Sequence, residues 1–177
     1  MFIIKNNYYL YIEKTNDIDL SRLKKNRKIS IIFRDRDKQQ SIKQLYKFRK
    51  QCKTERIKFY ISNNIKLFKA CKADGLYLSS YNKKRHLNKN LNLIGSAHSF
   101  REINEKIKQG CNTIFLSRLF KTNYKNKKGY FDIIKFNLIK KKYNINILPL
   151  GGIKGSNLNK LNMINSKGLA LLSEVKK

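Results

Sequence analysis

Long apolar runs are missing from this chain. No stretch approaches the ~20 residues needed to span a bilayer, and Met1 to Leu10 is too short and too interrupted by Tyr and Asn for a signal sequence. No membrane partner is therefore expected, and the cytoplasm is the expected compartment. Cysteine is limited to Cys52, Cys71 and Cys111, odd in number, widely spaced and without a C-x-x-C pair. That pattern argues against a zinc site or a redox dithiol and reads as buried or incidental thiols in a reducing compartment. No G-x-G-x-x-G follows the first apolar run, so the dinucleotide-binding fingerprint is absent. Acidic residues are few, 11 against 41 Lys and Arg, a formal net charge of +30.

Such a charge can mark a nucleic-acid partner, because clustered Lys and Arg bind phosphate backbones with release of counterions. Here Lys, Asn and Ile are raised together along the whole chain, as at Lys25 to Lys28, Asn88 to Asn92 and Lys125 to Lys128. The charge reads as a chain-wide bias, and nucleic acid is not the expected partner. A positive field still concentrates small anionic substrates at an open cleft.

The 177 residues, 41% of them hydrophobic, suffice for one folded domain spanning 1–177. Short β-branched and aromatic runs recur, each followed by a longer segment with helical spacing, the alternation of βα units around a parallel sheet. Eight strands are expected: Tyr8 to Ile12, Ile29 to Phe33, Phe59 to Ser62, Gly75 to Leu78, Leu93 to Ser96, Thr113 to Ser117, Ile145 to Leu150 and Gly168 to Leu172. Most are unbroken apolar runs, as strands buried on both faces require. Lys38 to Cys52 sets Ile42, Leu45, Tyr46 and Phe48 near one stripe, and Phe100 to Gln109 does so with Ile103 and Ile107. Ser99 is placed to cap the second helix, Gly110 to end it in a left-handed turn, and Asp17 or Asp19 to open a short segment.

The pattern fits an α/β fold, either a closed (β/α)8 TIM barrel or an open doubly wound sheet, and the regular spacing favours the barrel. At 177 residues it would fall below the usual lower bound of ~200. Some helices must therefore be shortened, with Asp19 to Lys28 and Tyr81 to Asn90 as candidates.

In barrels, reactive groups sit on the loops after the strands, where helix N-termini aim free amides into the mouth. Those loops here are rich in hydrogen-bond donors: Arg34 to Asp37, Ser62 to Asn64, Ser96 to Ser99, Arg118 to Lys125, Gly151-Gly152 and Ser173. Gly151-Gly152 followed by Gly168 to Ser173 suits a phosphate site built by the last two loops, although a Gly-Gly pair can also simply turn the chain.

These motifs together carry a resemblance: Ile32-Phe33-Arg34-Asp35-Arg36, Ala73-Asp74-Gly75-Leu76-Tyr77-Leu78, Ile94-Gly95-Ser96-Ala97-His98-Ser99, Gly110-Cys111-Asn112-Thr113, Phe120-Lys121-Thr122, Leu150-Gly151-Gly152-Ile153 and Gly168-Leu169-Ala170. From about residue 29 onward the chain resembles thiamine phosphate synthase and its thiazole tautomerase relatives. That family joins an aminopyrimidine carrying a pyrophosphate to a thiazole phosphate and releases pyrophosphate.

The resemblance implies small-molecule phosphate substrates. Catalytic Arg34, Arg36 (in place of the usual Lys), Ser96 and Lys125 would hold the pyrophosphate. Thr122, Gly151, Gly152, Leu172 and Ser173 would face the thiazole and its phosphate. It also implies Mg²⁺, but the positions matching the family's metal-binding carboxylates are Asn63 and Asn82, with Asp35 and Asp37 nearby. The family's Gln before the basic motif is Ile32, Tyr124 stands in its Thr-rich loop, and the tautomerase His is matched by Arg118. His98 is an alternative proton carrier or a loop-orienting residue, and His86 lies among solvated Lys and Asn. A metal-free tautomerase or a non-catalytic phosphate binder is the alternative reading. The oligomeric state is open.

Overall fold

The computed structural model describes residues 7–23, 28–35, 40–85, 90–122 and 129–171. Eight parallel strands close into a barrel in sequence order, because β1 pairs with both β2 and β8. The strands are β1 (Asn7–Ile12), β2 (Lys28–Phe33), β3 (Lys58–Ser62), β4 (Gly75–Leu78), β5 (Leu93–Ala97), β6 (Thr113–Ser117), β7 (Asn146–Leu150) and β8 (Gly168–Leu171). All eight expected strands are present, with ends within a residue of expectation; Leu172 lies outside the described residues. The open-sheet alternative is excluded by the β1–β8 pairing.

Alternation along each strand divides the side chains between two environments. Tyr11, Ile32, Tyr60, Tyr77, Ile94, Phe115, Leu148 and Ala170 pack together inside the barrel. Ile31, Phe33, Phe59, Ile61, Leu76, Ile114 and Ile147 face outward into clusters shared with the helices. The interior is filled by aromatic rings in contact, such as Tyr11 on Tyr77 with centroids 5.4 Å apart, so this is a packed core and not a pore.

Among the described residues there are four α-helices: α1 (Ile42–Thr54), α2 (Ile65–Cys71), α3 (Phe100–Lys108) and α4 (Asp132–Lys141). Their starts follow from local chemistry. Ser41 and Gln44 form a reciprocal capping box on α1, Asn64 accepts from Leu67 N at 2.9 Å on α2, and Ser99 accepts from Glu102 N at 3.2 Å on α3. Gly110, at φ 84°, ends α3 as expected: Cys111 N reaches back to Lys106 O and Gly110 N to Ile107 O.

The economy that lets a short chain close a barrel is also visible. Between β1 and β2 the described residues carry two single 3₁₀ turns, Thr15–Asp17 and Leu20–Arg22, the second capped by Asp19. After β4 the described residues carry no helix, and after β7 a 3₁₀ segment, Gly155–Met163, takes the helix's place. In the two segments expected to be short, the described residues carry a single 3₁₀ turn, Leu20–Arg22, and no α-helix. Arg49 on α1 pairs with Asp74 at 2.6 Å while the other Asp74 oxygen accepts from Phe59 N at 2.8 Å, tying α1 to the barrel wall.

Two expected helix faces need correction. Ile42 is 55% exposed, because it sits in the first turn of α1 above the barrel wall, while Leu45, Phe48 and Cys52 carry the buried stripe. On α3, Ile107 is 40% exposed and Lys106 is fully buried beside Ile103. Lysine replaces isoleucine on that face because Gly95 leaves room for its stem; a β-carbon at 95 would lie 2.8 Å from Lys106 Cδ.

Candidate functional site

The strands' C-terminal ends form one rim, and the described candidates are spread around it. Arg34 follows β2, where its backbone N–H bonds to Ile12 O at 2.9 Å, and its guanidinium lies 5.7 Å from the centre of the Tyr11 ring. That contact sets a fixed cation over the top of the aromatic core. Burial pushes the Tyr11 phenol well above its ordinary range, the neighbouring Tyr77 adds to the rise, and Arg34 opposes it.

Ser96, on β5, is buried and accepts a 2.8 Å hydrogen bond from the Tyr77 hydroxyl on β4. Tyr77 is itself held above the ordinary phenol range by burial, with the Ser96 bond acting to lower it. An interior tyrosine therefore fixes the hydroxyl of Ser96, and this support was not expected from the sequence.

Thr122 follows β6, and its Oγ1 is buried with no hydrogen-bond partner among the described residues. A buried hydroxyl left unsatisfied is uncommon and is completed at low cost by a ligand atom. Gly151 and Gly152 both adopt positive φ, 89° and 73°. The geometry gives them a structural reason apart from any ligand: a β-carbon at 152 would run into the Phe120 carbonyl, and Phe120 N donates to Gly151 O at 3.2 Å. The loop after β7 thus presses on the loop after β6. Asn157 Nδ2 holds the turn by donating to Gly152 O at 2.7 Å.

Asn63 and Asn82, the positions that the resemblance matched to metal ligands, touch each other, with Asn82 Nδ2 donating to Asn63 Oδ1 at 3.0 Å. Both side-chain oxygens are engaged in the turn. Asn63 Oδ1 also accepts from Ser79 N at 2.9 Å, and Asn82 Oδ1 accepts from Lys84 N at 2.9 Å. Asn63 sits at φ 56°, a left-handed conformation in which Asn is the most tolerated residue after Gly. Among the described residues no group of three His, Cys, Asp or Glu side chains could hold a metal ion.

His98 Nδ1 lies 2.9 Å from Ser117 O, and because a carbonyl only accepts, the proton sits on Nδ1. Its backbone N–H donates to Glu102. The ring thereby ties the loop after β5 to the end of β6. Arg118, in the tautomerase-His position, donates to Gly129 O at 2.8 Å. Arg36, Asp37, His86, Tyr124, Lys125, Leu172 and Ser173 lie outside the described residues.

A groove of about 700 Å³ runs between the residues after β1 and the flank of α1, lined by Thr15, Leu20, Gln44 and Phe48 among others. The two 3₁₀ turns form one of its walls.

Comparison with known proteins gives the fold and sequence a context. Over 129 residues the chain is 30% identical to a thiamine-phosphate synthase of Prochlorococcus marinus, covering 70% of this chain and 37% of that protein. A thiamine-phosphate synthase of Flavobacterium johnsoniae is 29% identical over 132 residues, 68% of this chain and 62% of that protein. The chain therefore spans well under half the length of its cyanobacterial relative. Among solved structures, a thiamine phosphate pyrophosphorylase from Pyrococcus furiosus superposes with a TM-score of 0.74 at 17% identity, covering 95% of this chain and 85% of that one, a likeness of fold. No helix among the described residues is long and apolar enough to cross a membrane. Residues 16–175 match the family described as thiamine monophosphate synthase, and the chain belongs to that family.

Proposed function

We propose that the chain is a thiamine phosphate synthase of the cytoplasm, a single-domain enzyme condensing hydroxymethylpyrimidine pyrophosphate with thiazole phosphate to thiamine phosphate and pyrophosphate. The observation that carries this reading is the rim itself. Arg34, the supported Ser96 hydroxyl and the unsatisfied Thr122 Oγ1 stand on three different strand ends of one closed barrel. When the bond to pyrophosphate breaks, negative charge collects on the leaving group, and fixed donors lower the barrier where that charge develops. Arg34 can fork onto two phosphate oxygens, with Arg36 and Lys125 as further cations. Thr122, Gly151, Gly152, Leu172 and Ser173 would bind the thiazole side. Incubation of the purified chain with both substrates should give thiamine phosphate and pyrophosphate in equal amounts. No product above a blank, in EDTA or across a range of magnesium concentrations, would refute the synthase.

A second reading has its own observation. The interlocked amides of Asn63 and Asn82 suit a metal-free thiazole phosphate tautomerase or a silent phosphate-ligand binder. Thiazole phosphate without metal would then raise the melting temperature, because a ligand that binds only the folded state stabilises it. Absence of a shift at saturation rejects this alternative.

A further inference from the structure

We infer that the Asn63–Asn82 pair is a metal-free clamp of the barrel rim, locked from the outer helical layer by Lys106, and that phosphate ligands of this mouth bind without a divalent cation at that pair. The second half rests on the phosphate-ligand reading above; the clamp stands without it.

A magnesium ion at this pair would need oxygen lone pairs facing it, and it usually takes carboxylates together with substrate oxygens. Both side chains here are neutral, and each Oδ1 already accepts a backbone N–H, from Ser79 and from Lys84. Turning either amide to release its oxygen leaves that N–H unpaired, and for Asn63 also breaks the bond to Asn82.

Behind the pair, Lys106 Nζ donates to Asn82 O at 2.7 Å and to Gln109 Oε1 at 2.8 Å. Gln109 Nε2 donates to the same Asn82 O and to Lys84 O, both at 2.9 Å. Two side chains of α3 thus grip the main chain of the turn whose Asn82 side chain grips Asn63. The ammonium also repels a second cation brought to that turn. The cation serving this edge of the rim is part of the chain, and Lys106 is a positioning residue.

Three measurements on the full chain test this. Manganese alone, followed by electron paramagnetic resonance, should show no saturable site that depends on Asn63; a site lost in Asn63→Ala overturns the metal-free clamp. Inorganic pyrophosphate, followed by calorimetry at matched free concentration, should bind no more tightly with magnesium than in EDTA. Binding that needs magnesium overturns the second half, whereas no binding in either condition rejects the phosphate-ligand reading and leaves the clamp to the other two measurements. Hydrogen exchange at the amides of Ser79, Asn82 and Lys84 should quicken by up to about tenfold in Lys106→Met, or in the milder Gln109→Ala, with β1 and β2 unchanged. Unchanged exchange at those three amides overturns the locking role.

Discussion

Tyr77 and Ser96 join neighbouring strands through a 2.8 Å bond between two buried hydroxyls, just under the rim. Removing the donor leaves Ser96 Oγ without its interior partner. Tyr77→Phe should therefore lower stability by about 1–2 kcal/mol in chemical denaturation and weaken pyrophosphate binding as Ser96 loses its orientation. Ser96→Ala, which leaves the Tyr77 hydroxyl stranded instead, should cost a similar amount; no loss in either variant would remove the pair from the account.

Gly152 sits at φ 73° with the Phe120 carbonyl where a β-carbon would go. Gly152→Ala should destabilise by about 2 kcal/mol or more, read as a lower denaturation midpoint. Ligand loss in a Gly152 variant is thus diagnostic only when folding is measured alongside it.

The three cysteines are buried, and burial pushes the thiols of Cys52 and Cys111 up to about 12. Arg49 beside Cys52 and Lys106 beside Cys111 oppose that rise without cancelling it. Since the thiolate is the reactive form, a thiol reagent at pH 8 should label the folded chain slowly and reach all three only in denaturant. Rapid labelling of the native protein would contradict this packing.

Burial lowers the Lys106 pKa from its ordinary 10.5, with neighbouring Cys111 and glutamates opposing. In the interval between the lowered value and 10.5 the unfolded chain binds more protons than the folded one. The contribution of Lys106 to stability therefore rises with pH through that interval and is constant below it. The neutral amine keeps two N–H groups for its two acceptors, so the clamp survives the titration. The stability difference between the native chain and Lys106→Met should grow in favour of the native chain as pH approaches 10.5; a difference independent of pH would contradict the assignment.

The barrel was legible because its strands are buried on both faces, and unbroken runs such as Ile29 to Phe33 and Thr113 to Ser117 have few other homes in a chain this short. Ser99 and Gly110 marked the ends of α3 by side-chain chemistry and backbone freedom that act locally. Lys106 was not legible as a core residue, because helical periodicity treats lysine as polar. Its burial depends on Gly95 and Gln109, and Gly95 comes from another element. Asn63 and Asn82 were singled out by resemblance as metal-ligand positions, but their contact with each other depends on which atoms the turn uses and on the left-handed backbone at Asn63, neither of which the sequence displays. The Tyr77–Ser96 bond was equally hidden, since it depends on a register that sets Tyr77 opposite Ile94, with Ser96 two residues further along the same face.

The central claim is that one rim, with Arg34 above the aromatic core, holds a phosphate-bearing ligand. Calorimetric titration of inorganic pyrophosphate into the native chain and into Arg34→Ala tests it most directly. The account predicts one binding site in the native chain and a loss of about tenfold or more in affinity in the variant, the worth of a charge-assisted contact. Equal affinity in the two proteins would contradict it.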